Sequence, residues 1–296
     1  MLATEFIHGQ GLGNQLFVYV TTRILSYKLG YDFGINGLHN AGDSRVNKKG
    51  FYFMNLDYGK EVPNNLTRYD EYRHGELTDS WLRTDIRLTD KKLLSIPDNT
   101  IIYGNLQSEE YFGDNLNIVK NWLKVLDEYE HTDTSGKNIC ILNFRGGDIV
   151  GNSGCWLPRS YWLKAIDNMV QYNPKMEFAI VTDDVKAANQ MLPEYPAYHD
   201  EIAWDYVAIK NARNVICSTS TFACFPLWTS ETLEYCIAPK YWFHHNLSQG
   251  WWSLGCSIYS FPTHYMDREG NLFTPEECVV EWEEYKKESN IYGGDL

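Results

Sequence analysis

Basic residues are in short supply in this chain. Against 39 aspartates and glutamates stand 26 lysines and arginines, a formal net charge of −13 over 296 residues. Nucleic acids and anionic membrane surfaces are bound through a basic footprint, so this balance argues against both. It leaves room for a small anionic ligand held by one or two arginines. Long apolar runs are missing as well: no segment reaches the roughly 18 apolar residues of a membrane span. The opening, Met1 to His8, has neither the basic stretch nor the apolar core of a secretory signal. The cysteines (Cys140, Cys155, Cys217, Cys224, Cys236, Cys256 and Cys278) are odd in number and nowhere spaced C-x-x-C. That pattern argues against a disulfide framework and against a zinc site. Several lie in apolar strand-like runs, as small core residues do. A reducing, cytoplasmic setting is expected. The glycosylation-type patterns Asn65-Leu-Thr67 and Asn246-Leu-Ser248 are then chance matches.

What is present is apolar and aromatic. Hydrophobic residues make up 44% of the chain and aromatics 15%, enough for one large or two medium domains. The pattern alternates between short apolar runs and helical periodicity. Thr4–His8 reads as a first strand, Gly9 to Gln15 as a glycine-rich turn, and Leu16, Val20, Ile24 and Tyr27 as one face of a helix closed by Gly30. Tyr31–Ile35 reads as the next strand. Residues 36–100 are rich in Asn, Asp, Gly and Tyr and read as loops with short helices. Ile101–Gly104 reads as a strand, and a helix is expected over about 115–128. The polar stretch His131–Lys137 is the natural boundary between an N-terminal α/β domain, 1–131, and a C-terminal one, 137–296. In the second half, strands at 139–144, 178–182, 214–217 and 235–238 alternate with helices starting near Ser160, Asp184 and Glu201. Such repeated units predict a parallel sheet with helices on both faces. At the end, Thr274-Pro-Glu-Glu277 is a capping box that opens a helix with Cys278, Trp282 and Tyr285 on its apolar face.

Three strand ends carry polar residues suited to one ligand. Ile139-Cys-Ile-Leu-Asn-Phe144 is an apolar run that breaks into Arg145-Gly-Gly-Asp148. Arg145 offers a forked set of donors for phosphate or carboxylate, and the peptides at Gly146 and Gly147 can close on the same anion. The structural alternative is an Arg145–Asp148 pair closing a surface loop. The second strand end is Asp183-Asp184, which reads either as an acidic site or as a helix cap. The third is Ser218 to Thr221, followed by Phe222, which reads as an anion site at a helix start or as simple capping. In open α/β sheets the carboxyl ends of neighbouring strands converge on one crevice. Gly9-Gln-Gly-Leu-Gly-Asn14 with Asp32 is a weaker dinucleotide-type pattern, because the third glycine of G-x-G-x-x-G is absent.

These segments resemble a known family, the alpha-1,2-fucosyltransferases. Gly11-Leu-Gly-Asn-Gln-Leu-Phe-Val-Tyr19 is similar to its N-terminal signature, and Leu106-Gln-Ser-Glu-Glu-Tyr-Phe112 to its short Gln-Ser-Glu segment. Asn143-Phe-Arg-Gly-Gly-Asp148 resembles its His-x-Arg-Arg-Gly-Asp motif. Val181-Thr-Asp-Asp184 and the stretch from Asn214 to Ala238-Pro-Lys-Tyr-Trp-Phe243 match its later motifs in order. The resemblance implies a GT-B-like α/β fold, with two Rossmann-like domains facing a cleft, a GDP-fucose donor, a glycan acceptor and inversion at the anomeric carbon. It implies no metal and no cofactor beyond the donor. It assigns Arg145 to the diphosphate, Asp205 to the nucleoside end, Ser220 and Thr221 to the phosphates, and Gly11, Gly13 and Asn14 to the cleft. Asn143, Gly146, Gly147, Asp183, Asp184 and Phe222 join the donor site, and Asp148 is the candidate base. The chain departs from the pattern where the motif histidine is Asn143 and the second arginine is Gly146. About 50 residues also follow the Ala-Pro-Lys segment. A non-catalytic carbohydrate-binding protein and an NAD-dependent dehydrogenase are the competing readings. Oligomeric state, a homo-oligomer included, is not fixed by the sequence.

Overall fold

The computed structural model describes residues 1–42, 50–71, 89–246 and 257–288. Gly250, Trp251, Trp252 and Cys256 of the aromatic-rich tail lie outside them, as does most of the pattern that starts at Asn246. The described chain divides into two compact units, residues up to 130 and residues from 131 onward.

The first unit is built on a four-stranded sheet in the order β2-β1-β4-β3. Its strands are β1 (Leu2–Glu5), β2 (Phe33–Asn36), β3 (Thr67–Asp70) and β4 (Thr100–Tyr103), all parallel. Helix α1 (Leu12–Leu29) links β1 to β2 and ends on Gly30, whose φ of 72° closes the last turn in the left-handed conformation. The predicted helical face is buried at Leu16, Val20 and Ile24 but not at Tyr27, which is 61% exposed. The buried run of α1 ends at Ser26, and Tyr27 lies just beyond it in the last turn. Strand β3 escapes the sequence pattern because Thr-Arg-Tyr-Asp is polar throughout; it is an edge strand paired only with β4. The first strand covers Leu2–Glu5 rather than Thr4–His8, and α2 (Leu116–Trp122) stops six residues short of the expected end.

The second unit carries a seven-stranded sheet, β11-β10-β9-β8-β5-β6-β7. It comprises β5 (Ile139–Phe144), β6 (Glu177–Thr182), β7 (Ala197–Tyr198), β8 (Asn214–Cys217), β9 (Tyr235–Pro239), β10 (His264–Met266) and β11 (Leu272–Phe273). Every pairing is parallel except β10 with β11. The helices are α3 (Arg159–Tyr172), α4 (Val185–Met191), α5 (Ile202–Asn211), α6 (Cys224–Thr229) and α7 (Pro275–Glu288). Cys140, Leu142 and Phe144 of β5 pack with Ile180 and Ile216 against Trp162, Ala165, Ile166 and Met169 of α3 and Ala187 and Ala188 of α4. The alternate residues Ile141, Val215 and Cys217 are equally buried but belong to the opposite face, where α5 lies against β5 and β6. Both faces of the sheet are therefore covered, which is why these strands read as unbroken apolar runs. Phe144 sits between the Trp156 and Trp162 rings, with centroids 5.4 and 5.2 Å away.

Helix α7 is opened by the predicted capping box. The Thr274 amide donates to Glu277 Oε2 at 2.8 Å, and the Glu277 amide donates to Thr274 Oγ1 at 3.2 Å. Its buried face, Cys278 and Trp282, is anchored by Lys240, which is 3% exposed and bonds Glu281 Oε2 at 2.6 Å with its ammonium over the Phe273 ring.

A candidate anion site at the strand ends of the second unit

The chain order around β5 sets where a ligand can enter. After β5 the chain crosses to β6 and β7; after β8, the neighbour of β5 on the other side, it crosses to β9 and β10. The connections leave β5 and β8 in opposite directions, the switch point at which open parallel sheets leave a crevice. Register aligns the ends: Asn143 lies opposite Val181 on one side and Cys217 on the other. Arg145, Asp183 and Ser218 thus emerge at adjacent strand ends.

Arg145 is the centre of the arrangement. Its Nη1 donates to Asp183 Oδ2, and its Nη2 donates to Asp148 Oδ1 at 2.7 Å. The Gly146 amide donates to Asp183 Oδ1 at 2.7 Å. The Arg145–Asp148 pair of the structural alternative is therefore real, and Asp183 joins it. Two of the five guanidinium N–H groups are engaged, with the side chain 26% exposed.

Both glycines are required by this close approach. A Cβ at Gly146 would stand 2.5 Å from Asp184 Cβ, and Gly147 has a φ of +53° with Asp183 Oδ2 2.9 Å from where its Cβ would lie. Position 146 is thus closed to any side chain on this backbone. Asp184 itself caps α4, accepting from the Ala187 amide at 2.9 Å, so the capping reading holds for Asp184 and not for Asp183.

On the β8 side, Asn143 is buried and accepts from Ser218 Oγ at 3.3 Å, while its carbonyl accepts from the Ser218 amide at 3.0 Å. These bonds bridge the switch point. Ser220 Oγ accepts from the Phe222 amide at 3.3 Å, a capping bond, and Thr221–Ala223 forms a short 3-10 helix leading into α6. Phe222 meets the Tyr206 ring edge-on at 6.1 Å.

Asp205, in the first turn of α5, is buried. Its Oδ2 lies 2.7 Å from His199 Nδ1, and its Oδ1 accepts from the Asp200 amide at 3.3 Å. Burial pushes its carboxyl up to about 6, with His199 pulling in the opposite direction. His199 follows β7, the strand next to β6. The sequence reading missed His199, since a histidine in a loop six residues before its carboxylate leaves no periodic signal. Gly11, Gly13 and Asn14 belong to the first unit, as N-cap and first turn of α1, and Asn14 Oδ1 accepts from Gln107 Nε2 at 2.8 Å. Asp32, the acid of the dinucleotide-type pattern, pairs at the surface with Lys60 at 2.7 Å. Among the described residues no group of three His, Cys, Asp or Glu side chains is arranged to hold a metal ion, and no helix is long and apolar enough to cross a membrane.

No family model matches the sequence and no curated protein matches it. Solved structures share the general fold loosely. One, POFUT1 in complex with GDP-fucose, is 10% identical, with 80% of this chain and 96% of that chain covered at a TM-score of 0.44. A second is NodZ alpha-1,6-fucosyltransferase co-crystallized with GDP, at 13% identity, 80% and 94% coverage and a TM-score of 0.44. A third is fucosyltransferase NodZ from Bradyrhizobium, at 12% identity, 77% and 92% coverage and a TM-score of 0.43. A likeness of this degree bears on neither activity nor ligand.

Proposed function

We propose that the protein is a glycosyltransferase of the GT-B type that moves fucose, or a related deoxysugar, from a GDP-linked donor to a glycan hydroxyl. The proposed transfer inverts the anomeric carbon and forms an alpha-1,2 linkage. The observation that carries the reading is the cation and glycine amide at the switch point: Arg145 and the Gly146 amide converge on one anion, at the strand ends that carry the Asn143–Asp148 and Val181–Asp184 segments. In this reaction the acceptor oxygen attacks the anomeric carbon as the bond to the diphosphate breaks. The electron pair leaves on the diphosphate, and the acceptor proton passes to a base. Negative charge grows on the departing phosphate oxygen, so a preorganised guanidinium and amide lower the barrier there. Asp205 serves the nucleoside end, where a buried carboxylate rewards a base edge that presents N–H donors.

Asp148 is the candidate base, but its bond to Arg145 supports an orienting role. The two roles separate in the pH profile of turnover. Asp148→Asn lowers the rate and removes an acidic limb if Asp148 takes the proton, and lowers the rate with the limb intact if it orients Arg145.

The test of the whole reading is calorimetric titration with GDP, with UDP and NAD as controls, on the native protein and Arg145→Ala. Binding of GDP alone, lost in the variant, is the expected result. NAD binding without GDP binding would replace this reading with the dehydrogenase one.

A further inference from the structure

Two of the donors that the strand-end turn aims at an anion are already taken by one carboxylate. Asp183 takes the Gly146 amide on Oδ1 and the Arg145 guanidinium on Oδ2. Its side chain is 31% exposed, so the pair is neither locked in the core nor free in solvent. Two carboxylate oxygens on a main-chain N–H and a guanidinium reproduce the contacts of two phosphate oxygens on the same groups. A carboxylate in that position cannot itself bind a diphosphate, because both are anions. The neighbouring aspartates have other work: Asp184 caps α4, and Asp148 takes the second guanidinium nitrogen.

We infer that Asp183 is a built-in surrogate for the donor's phosphate: it occupies the anion cradle when the site is empty and must leave Arg145 and Gly146 for a diphosphate to bind. The inference rests on the anion-site reading given above and specifies how that site sets its affinity. Asp183 competes with the diphosphate for the same donors, so it weakens both donor and product. It also retakes the cradle when GDP departs. The glycines at 146 and 147 serve this exchange, since each leaves room for an aspartate side chain to reach the turn.

The experiment is calorimetric titration of the full chain with inorganic pyrophosphate and, separately, with GDP. The variants are Asp183→Asn, which keeps the side-chain shape and a carbonyl for the Gly146 amide, and Asp183→Ser as a second variant should the first fail to fold. Each is repeated in an Arg145→Ala background. Removing a competing charge of this exposure is expected to tighten pyrophosphate about three- to tenfold, with the gain abolished when Arg145 is also replaced. Weaker or unchanged pyrophosphate binding in both variants would overturn the inference, because Asp183 would then orient Arg145 rather than compete for it. A gain for pyrophosphate with no preference for GDP over UDP would uphold the surrogate and remove the GDP-sugar reading. GDP binding that depends on Arg145 but is weakened by Asp183→Asn would do the reverse.

Discussion

The two units solve the same topological problem in different chemical currencies. In the first, β1 lies between β2 and β4, and the chain leaves β1 toward β2 through the glycine turn before α1. The loop after β4 is tied to that turn by a hydrogen bond from the Gln107 side-chain amide to Asn14 Oδ1. In the second, the loop after β8 is tied to β5 by the Ser218–Asn143 bond, and the turn after β5 carries Arg145 between two aspartates. Both turns are glycine-rich and both follow an inner strand of a parallel sheet. The second carries an arginine, whereas Gly9–Gln15 has no lysine or arginine and the neutral Gln15 donates its amide nitrogen to the Gln10 and Asn40 carbonyls. Glycines open a turn to close approach, but a charged donor must be present before an anion gains anything by binding there.

Four substitutions test this contrast. Arg145→Ala should have the largest effect, a loss of about a hundredfold or more in transfer rate, read by GDP release from the GDP-sugar; near-native turnover would sink the assignment. Gly146→Ala should follow, at about 1–3 kcal/mol of stability in urea unfolding, because the new methyl meets the Asp184 side chain. A Gly146→Ala variant as stable as the native protein would show that the turn yields freely.

Asp205→Asn probes the buried carboxyl. Its folded value of about 6 lies above that of an unfolded aspartate, so the folded state holds the proton more tightly. Stability is therefore lost as pH rises from about 4 to about 6 and stays lower above that window. In thermal melts between pH 4.5 and 7 the variant should lack this decline, a difference of about 1–3 kcal/mol; an unchanged decline would place its origin elsewhere. The smallest effect belongs to the neutral turn. Gln107→Leu should lower stability by about 1 kcal/mol while changing GDP affinity less than Arg145→Ala does. An equal loss of GDP affinity would erase the distinction drawn between the units.

Much of the second unit was legible in the residues. Ile139–Phe144 and Asn214–Cys217 are strands over the predicted spans, because strands buried on both faces are marked by continuous apolar side chains. The capping box at Thr274 was equally clear, since its signal is local. Edge elements were not. β3, β7 and β11 carry two to four residues with no apolar alternation and exist because a neighbouring strand offers free hydrogen-bonding groups.

The same division runs through the site. Residue types and their order put Arg145, Gly146, Gly147 and Asp148 on one turn and Asp183 and Asp184 on another, since a strand end is a property of the local sequence. Which aspartate caps a helix and which fills the cradle depends on the alignment of β5 with β6, a contact between residues nearly 40 positions apart. The pairing of Asp205 with His199 is of the same kind. Local pattern determines where the backbone turns and which charges stand at the turn. Only the packed sheet decides which charges meet, because hydrogen-bond geometry is set by strand register and no short stretch of chain contains it.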